Sequence, residues 1–230
     1  MPYTLRDKIV YDALCQVAGL NLPNLYLAGG IALQLYVTNA NPELPLRPTN
    51  DIDFSTVPPL KKSEFNDIYN RLALNGKKGK DREGFFIQIG LENDPFFLHF
   101  EKPTNSQWEE IGPYRKRSLA NAREMQIGNR IIKVARLEEI CAAKDRRINY
   151  VSSRYKIVVP SVDDPKKYLD DLETHRRSLS SYFEASIEAG TEQRLLYNLR
   201  KDAFDLWLIS MLIRMGVDFD QEYLEELKNN

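Results

Sequence analysis

Tyr26–Phe54 reads YLAGGIALQLYVTNANPELPLRPTNDIDF. A short apolar run breaks at two adjacent glycines, an apolar helical stretch opens at about Ile31 and runs to Val37, and the segment ends on two aspartates separated by one isoleucine. DIDFS alternates and lies between a proline-rich loop and Val57-Pro58-Pro59, which predicts a strand. Successive strand side chains point to opposite faces, so Asp51 and Asp53 share one face, roughly 6.6 Å apart along the chain, while Ile52 and Phe54 enter the core. Like charges held together are costly unless a cation neutralises them. Oxygen ligands without sulfur or imidazole favour a hard ion such as Mg²⁺, which keeps waters and binds substrate phosphates. Gly29-Gly30 carries no Cβ to block a ligand and opens a helix whose free N–H groups favour an anion. Each signal has a plain alternative: a tight strand-to-helix turn for the glycines, a polar strand edge for D-x-D. Together, with Arg47 and Thr49 just before the acids, they predict a nucleotide-phosphate site.

The rest of the sequence fits one large domain or two small ones. Its 230 residues are 43% hydrophobic and 28% charged, as in ordinary globular proteins. A formal net charge of -1 supplies no global field for nucleic acid, which leaves local clusters such as Lys77-Lys78-Gly79-Lys80 and Arg115-Lys116-Arg117, read as solvated loops. The start MPYTLRDK is charged where a signal peptide is apolar, and no apolar run reaches membrane-spanning length, so the expectation is a cytoplasmic protein without membrane partners. Cys15 and Cys141 fall among apolar residues as small buried hydrophobes, and His99 and His175 lack second histidines at ligand spacing.

TLRDKIVYDALCQVAGL has helical periodicity ending at Gly19. KSEFNDIYNRLALNG predicts a helix with Ser63 as N-cap and Gly76 as stop, and GFFIQIG and PFFLHFEK predict two strands. In the second of these, Phe97, His99 and Glu101 share a face, and Glu101 is the candidate third acid beside Asp51 and Asp53. MQIGNRIIKVA carries the Gly-Asn turn of a hairpin. Beyond Val134 the chain reads as helical: Leu137 to about Tyr150, Asp164 to Arg177, Leu179 to Ala189, and about Glu192 to Met215, with NYVSSRYKIVVPSVDDP as an irregular connection. The expected organisation is α+β, an α/β domain over residues 1–135 and a helical domain over 136–230 that completes the active-site cleft.

The helical half holds two anomalies. Leu137, Cys141, Lys144 and Ile148 put a lysine in an apolar stripe, and Leu195, Leu199, Asp202, Leu206, Ile209 and Ile213 put an aspartate on a core-facing seam. Lysine commonly snorkels at the rim of a core; a core-facing aspartate needs a cation such as Lys144, or a metal-bound water. Lys201 and Asp205 flank Asp202.

LAGGIALQLY, RPTNDIDF, VARLEEICAAKDRR and RKDAFDLWLI resemble the successive motifs of the AbiEii-type nucleotidyltransferases, a branch of the polymerase-β nucleotidyltransferase superfamily, with glutamate in place of a clear third aspartate. The resemblance implies a nucleotidyltransferase-type mixed sheet followed by a helical bundle. It also implies NTP-dependent transfer with Mg²⁺ or Mn²⁺, by the toxin of a toxin–antitoxin or phage-defence pair. Gly29 and Gly30, with Arg47, Thr49, Lys144 and Lys201, would bind the nucleotide. Asp51, Asp53 and Glu101 would hold the metal, and Lys144, Lys201, Asp202 and Asp205 would form the second half of the site. Implied partners are the NTP, a tRNA or protein acceptor and a cognate antitoxin. An aminoglycoside-type transferase and a non-catalytic nucleotide-binding or interaction module are the alternatives.

Overall fold

The computed structural model describes residues 3–81, 84–91, 94–182 and 187–229. The fold is α+β. In chain order the elements are α1 (Lys8–Gly19), β1 (Leu25–Ala28), α2 (Gly29–Ala40), β2 (Asp51–Thr56), α3 (Lys62–Arg71), β3 (Gly76–Lys80), β4 (Gly84–Leu91), β5 (Asp94–Glu101), α4 (Asn105–Asn121), β6 (Arg123–Ile127), β7 (Arg130–Val134), α5 (Leu137–Tyr155), α6 (Pro165–Tyr182), α7 (Ile187–Arg214) and α8 (Gln221–Asn229). The chain divides into two compact units. One comprises residues 1–36 and 48–136, the other residues 37–47 and 137–230. No helix of the described residues is long and apolar enough to cross a membrane.

The first unit is built on a seven-stranded mixed sheet in the order β3-β4-β5-β2-β1-β7-β6. β2 lies antiparallel to β1 and parallel to β5, in a register that sets Ala28 and His99 on either side of Asp53. The strand parity read from sequence holds: Ile52, Phe54, Phe96, Leu98 and Phe100 are fully buried, while Asp53, Phe97, His99 and Glu101 are half-buried on the other face. α3 covers the apolar face through Phe65, which stacks on Phe85 at 4.8 Å and meets Phe100 edge-on at 5.8 Å. Burying aromatic side chains of this size stabilises the fold by about 2–3 kcal/mol each. One sheet face is thus committed to the core, and Asp51 and Asp53 lie on the other.

Several elements depart from the sequence expectation. The cluster Lys77-Lys78-Gly79-Lys80 is the edge strand β3, paired with β4. Its lysines keep an exposed edge from pairing with another chain, and the Phe86 ring occupies the space a Cβ on Gly79 would need. Arg115-Lys116-Arg117 lies in α4, which the sequence reading left without structure because Gly112 and Pro113 interrupt it. The legible signal was Thr104-Asn-Ser-Gln107: the Thr104 hydroxyl accepts from Gln107 N–H, and Gln107 Oε1 accepts from Thr104 N–H at 2.8 Å. α3 starts after Lys61, whose N–H donates to Glu64, and stops at Arg71 as Leu72 turns extended, so neither Ser63 nor Gly76 plays the capping part expected.

In the second unit α5 continues to Tyr155, which shortens the irregular connection to residues 156–164. The helix expected from Leu179 to Ala189 is divided between the end of α6 and the start of α7; residues 183–186 lie outside the described residues. α8 was not anticipated. Its first turn is held by the Asp220 carboxylate, which accepts from Tyr223 N–H at 3.0 Å, and Tyr223 in turn donates its hydroxyl to Glu139 of α5.

Candidate functional site

Asp53 is the centre of the polar face of the first unit. Gly29 has a φ of 69°, in the left-handed region, and a Cβ there would overlap the Asp53 carboxylate. Any side chain at Gly29 is excluded both by backbone strain and by the acid it faces. The same residue opens α2, so the first-turn N–H groups of that helix begin beside the acid strand. Asp51, exposed at the strand start, accepts the Thr49 hydroxyl at 2.6 Å. Thr49 is fixed in turn by paired backbone hydrogen bonds with Tyr3.

The electrostatics of this face are unbalanced. Burial pushes the Asp53 carboxyl above its ordinary range, with Asp51 and Glu101 adding to the effect and His99 opposing it. His99 Nδ1 lies 3.8 Å from Asp53 Oδ1, and its Nε2 lies 3.6 Å from Asp81 Oδ1. The Asp53 carboxylate raises the imidazole to about 9 against the burial that lowers it. Glu101 stands one step further along β5, on the same face. Its Oε2 accepts the Ser55 hydroxyl at 2.5 Å and meets Arg115 at 2.8 Å, so its charge is countered locally.

The donors fit a hard cation. Among the described residues no three His, Cys, Asp or Glu side chains stand together at metal-binding geometry. Two carboxylates suffice for Mg²⁺, which completes its shell with waters and substrate phosphates.

The charged residues read from the helical half lie in the second unit, most of them in one buried cluster. Arg47 grips Asp205 with both ends of its fork, Nε to Oδ1 at 2.6 Å and an NH₂ group to Oδ2 at 2.7 Å. Lys144 Nζ reaches Asp205 Oδ2 at 2.5 Å and Asp202 Oδ1 at 3.1 Å. Arg147 donates twice to Asp202, at 2.8 and 2.7 Å. Arg47, Lys144, Asp202 and Asp205 are buried, and Arg147 reaches solvent. Burial alone would push both carboxyls up; Arg47 and Lys144 hold Asp205 well below its usual range, and Lys144 and Arg147 do the same for Asp202. The cation expected beside Asp202 is therefore Lys144, with Arg147 added. Arg47, read as nucleotide-binding, is bound within this cluster. Lys201 is half-buried, with Nζ 5.2 Å above the Tyr197 ring.

Sequence reasoning passed over His99, Asp81 and Arg147. The β2–β5 register that sets His99 opposite Asp53 is a long-range pairing with no local signal, whereas Arg147, three residues after Lys144 on one helix, was legible.

No protein-family model and no curated protein sequence match the chain. Among solved structures it is similar to an antigenic nucleotidyltransferase-like protein from Paracoccidioides brasiliensis, at 13% identity and a TM-score of 0.43 over 100% of this chain and 95% of that one. It is also similar to the antibiotic-resistance factor ANT(2'')-Ia, at 20% identity and a TM-score of 0.38 over 86% of this chain and 94% of the other.

Proposed function

We propose that this chain is a metal-dependent nucleotidyltransferase that moves an NMP from an NTP to a hydroxyl acceptor. The acceptor is RNA such as tRNA, or a protein, and the biological role is that of a toxin in a toxin–antitoxin or abortive-infection pair. The observation that carries the reading is the Asp51–Asp53 pair on one face of β2, beside a left-handed Gly29 that no side chain can replace. Acids that outnumber the cations beside them among the described residues, next to a helix start, are suited to a metal–triphosphate ligand.

Asp51 and Asp53 are the residues that hold the metal. Bound there, a divalent ion neutralises triphosphate charge and lowers the pKa of the acceptor hydroxyl. Thr49 fixes the rotamer of Asp51 by its 2.6 Å hydrogen bond. The N–H groups after Gly29-Gly30 orient the triphosphate. The acceptor oxygen forms its bond to the α-phosphorus as the bond to pyrophosphate breaks, and Asp53 or Glu101 takes the hydroxyl proton. Lys144, Asp202 and Asp205 have the role their ion pairs describe, holding Arg47 and Arg147.

The test is transfer of label from each α-labelled NTP, with Mg²⁺ or Mn²⁺, onto total tRNA, cell protein and an aminoglycoside in separate arms. Label on tRNA or protein that Asp51→Asn abolishes is the expected result. Label only on the aminoglycoside would move the function to small-molecule modification, and no label in any arm, with no NTP binding, would leave a non-catalytic module.

A further inference from the structure

His99 is the part of this face that the proposed reaction does not use. It sits directly across from Asp53 in the parallel β2–β5 register, the place nearest the acid pair on the neighbouring strand. Both of its ring nitrogens look at carboxylates: Nδ1 at Asp53, 3.8 Å away, and Nε2 at Asp81, 3.6 Å away. Nε2 is sealed from solvent and makes no hydrogen bond among the described residues. A buried N–H or ring nitrogen without a partner is costly, so a small closing movement would complete the arrangement. A shift of about 0.5 Å on each side would bring both contacts into hydrogen-bond range.

Asp81 is set for that contact. Its Oδ1 accepts Gly84 N–H at 2.8 Å, and its own N–H donates to Gly84 O at 3.0 Å, so these two bonds to the start of β4 hold the carboxylate near the imidazole. Glu101, by contrast, is already engaged by Ser55 and Arg115.

We propose that His99 is a positioning residue for the metal-binding carboxylate: held from behind by Asp81, it fixes the orientation of Asp53. Metal-binding carboxylates generally need such hydrogen-bonded backing, and its loss typically costs 10–100-fold in metal affinity. The inference rests on the proposed metal–NTP site and assigns how this chain braces it.

The experiment measures Mn²⁺ affinity by electron paramagnetic resonance, with and without a non-hydrolysable NTP, beside denaturant melts of every variant. His99→Ala is expected to weaken Mn²⁺ binding by about 10–100-fold. His99→Asn, whose amide can reproduce the Nδ1 donor but not the Nε2 contact, should recover most of that loss. Asp81→Asn should fall in the same direction by a smaller factor, and the His99→Ala/Asp81→Asn double variant should be no worse than His99→Ala, because Asp81 acts through the ring. Glu101→Gln should change Mn²⁺ affinity less than about threefold. Wild-type affinity in folded His99→Ala and His99→Asn, or a loss in Glu101→Gln as large as in His99→Ala, would overturn the assignment and leave the proposed function standing. A wild-type chain that binds no Mn²⁺ even with the NTP would overturn both.

Discussion

Two groups of charged side chains, one in each unit, use the same chemistry to opposite ends. On the polar face of β2 and β5, acids outnumber the cations beside them among the described residues, Asp51 is exposed, and Asp53 is pushed above its ordinary range. In the helical unit, two aspartates meet three cations, every carboxylate is gripped at 2.5–3.1 Å, and both are held below their ordinary range. A carboxylate that the fold leaves short of positive charge is available to a ligand; one that the fold saturates is occupied with holding the chain together. Lone acids in apolar patterns look alike in sequence, and the sign of the carboxyl shift separates them.

The largest expected effect lies in the saturated cluster. Asp205→Asn leaves Arg47 and Lys144 buried beside a neutral amide, and we expect a loss of about 3–5 kcal/mol in denaturant melts. Both carboxylates have folded pKa values depressed below 3.8, so their contribution is complete above that pH and is lost as the pH falls below it. The acid limb of the wild-type stability curve should therefore flatten in Asp205→Asn, and an unchanged limb would show that the cluster contributes nothing.

Asp51→Asn and Asp53→Asn should do the reverse. Label transfer is expected to fall by roughly 10² or more with melts unchanged to within about 1 kcal/mol. If either variant proved as unstable as Asp205→Asn, the contrast drawn between the regions would collapse. Next in size is ligand stabilisation: an NTP with Mg²⁺ at a hundredfold excess over Kd should add about 2.7 kcal/mol to the wild type, with the metal-dependent part missing in Asp51→Asn. A thermal melt unmoved by any NTP with either metal would count against the phosphate site. The smallest effect is at the cluster rim, where Arg147 reaches solvent and Asp202 keeps Lys144; Arg147→Ala should cost about 1 kcal/mol or less. A larger loss would sharpen the picture by showing that Asp202 depends on its outer partner.

Local pattern determined a good deal of this protein. Alternation in DIDFS and PFFLHFEK assigned each residue its face, because side chains a strand step apart must point oppositely whatever surrounds them. Helical spacing likewise put Lys144 and Asp202 inside, where ions need partners. Gly29 was legible as a turn, but the cause of its being glycine, the Asp53 carboxylate in the space of its Cβ, depends on the β1–β2 pairing. α4 was obscured by Gly112 and Pro113 although its cap was readable, and β3 by lysines and glycines that favour no strand on their own. Tertiary structure alone decided which cation meets which acid. Arg47 and Asp205 are far apart in sequence, and His99 faces Asp53 only through the register of two parallel strands. Charge pairing acts through space over a few ångströms, so it is fixed by the folded path of the chain, whereas periodicity is fixed by the covalent geometry of each element.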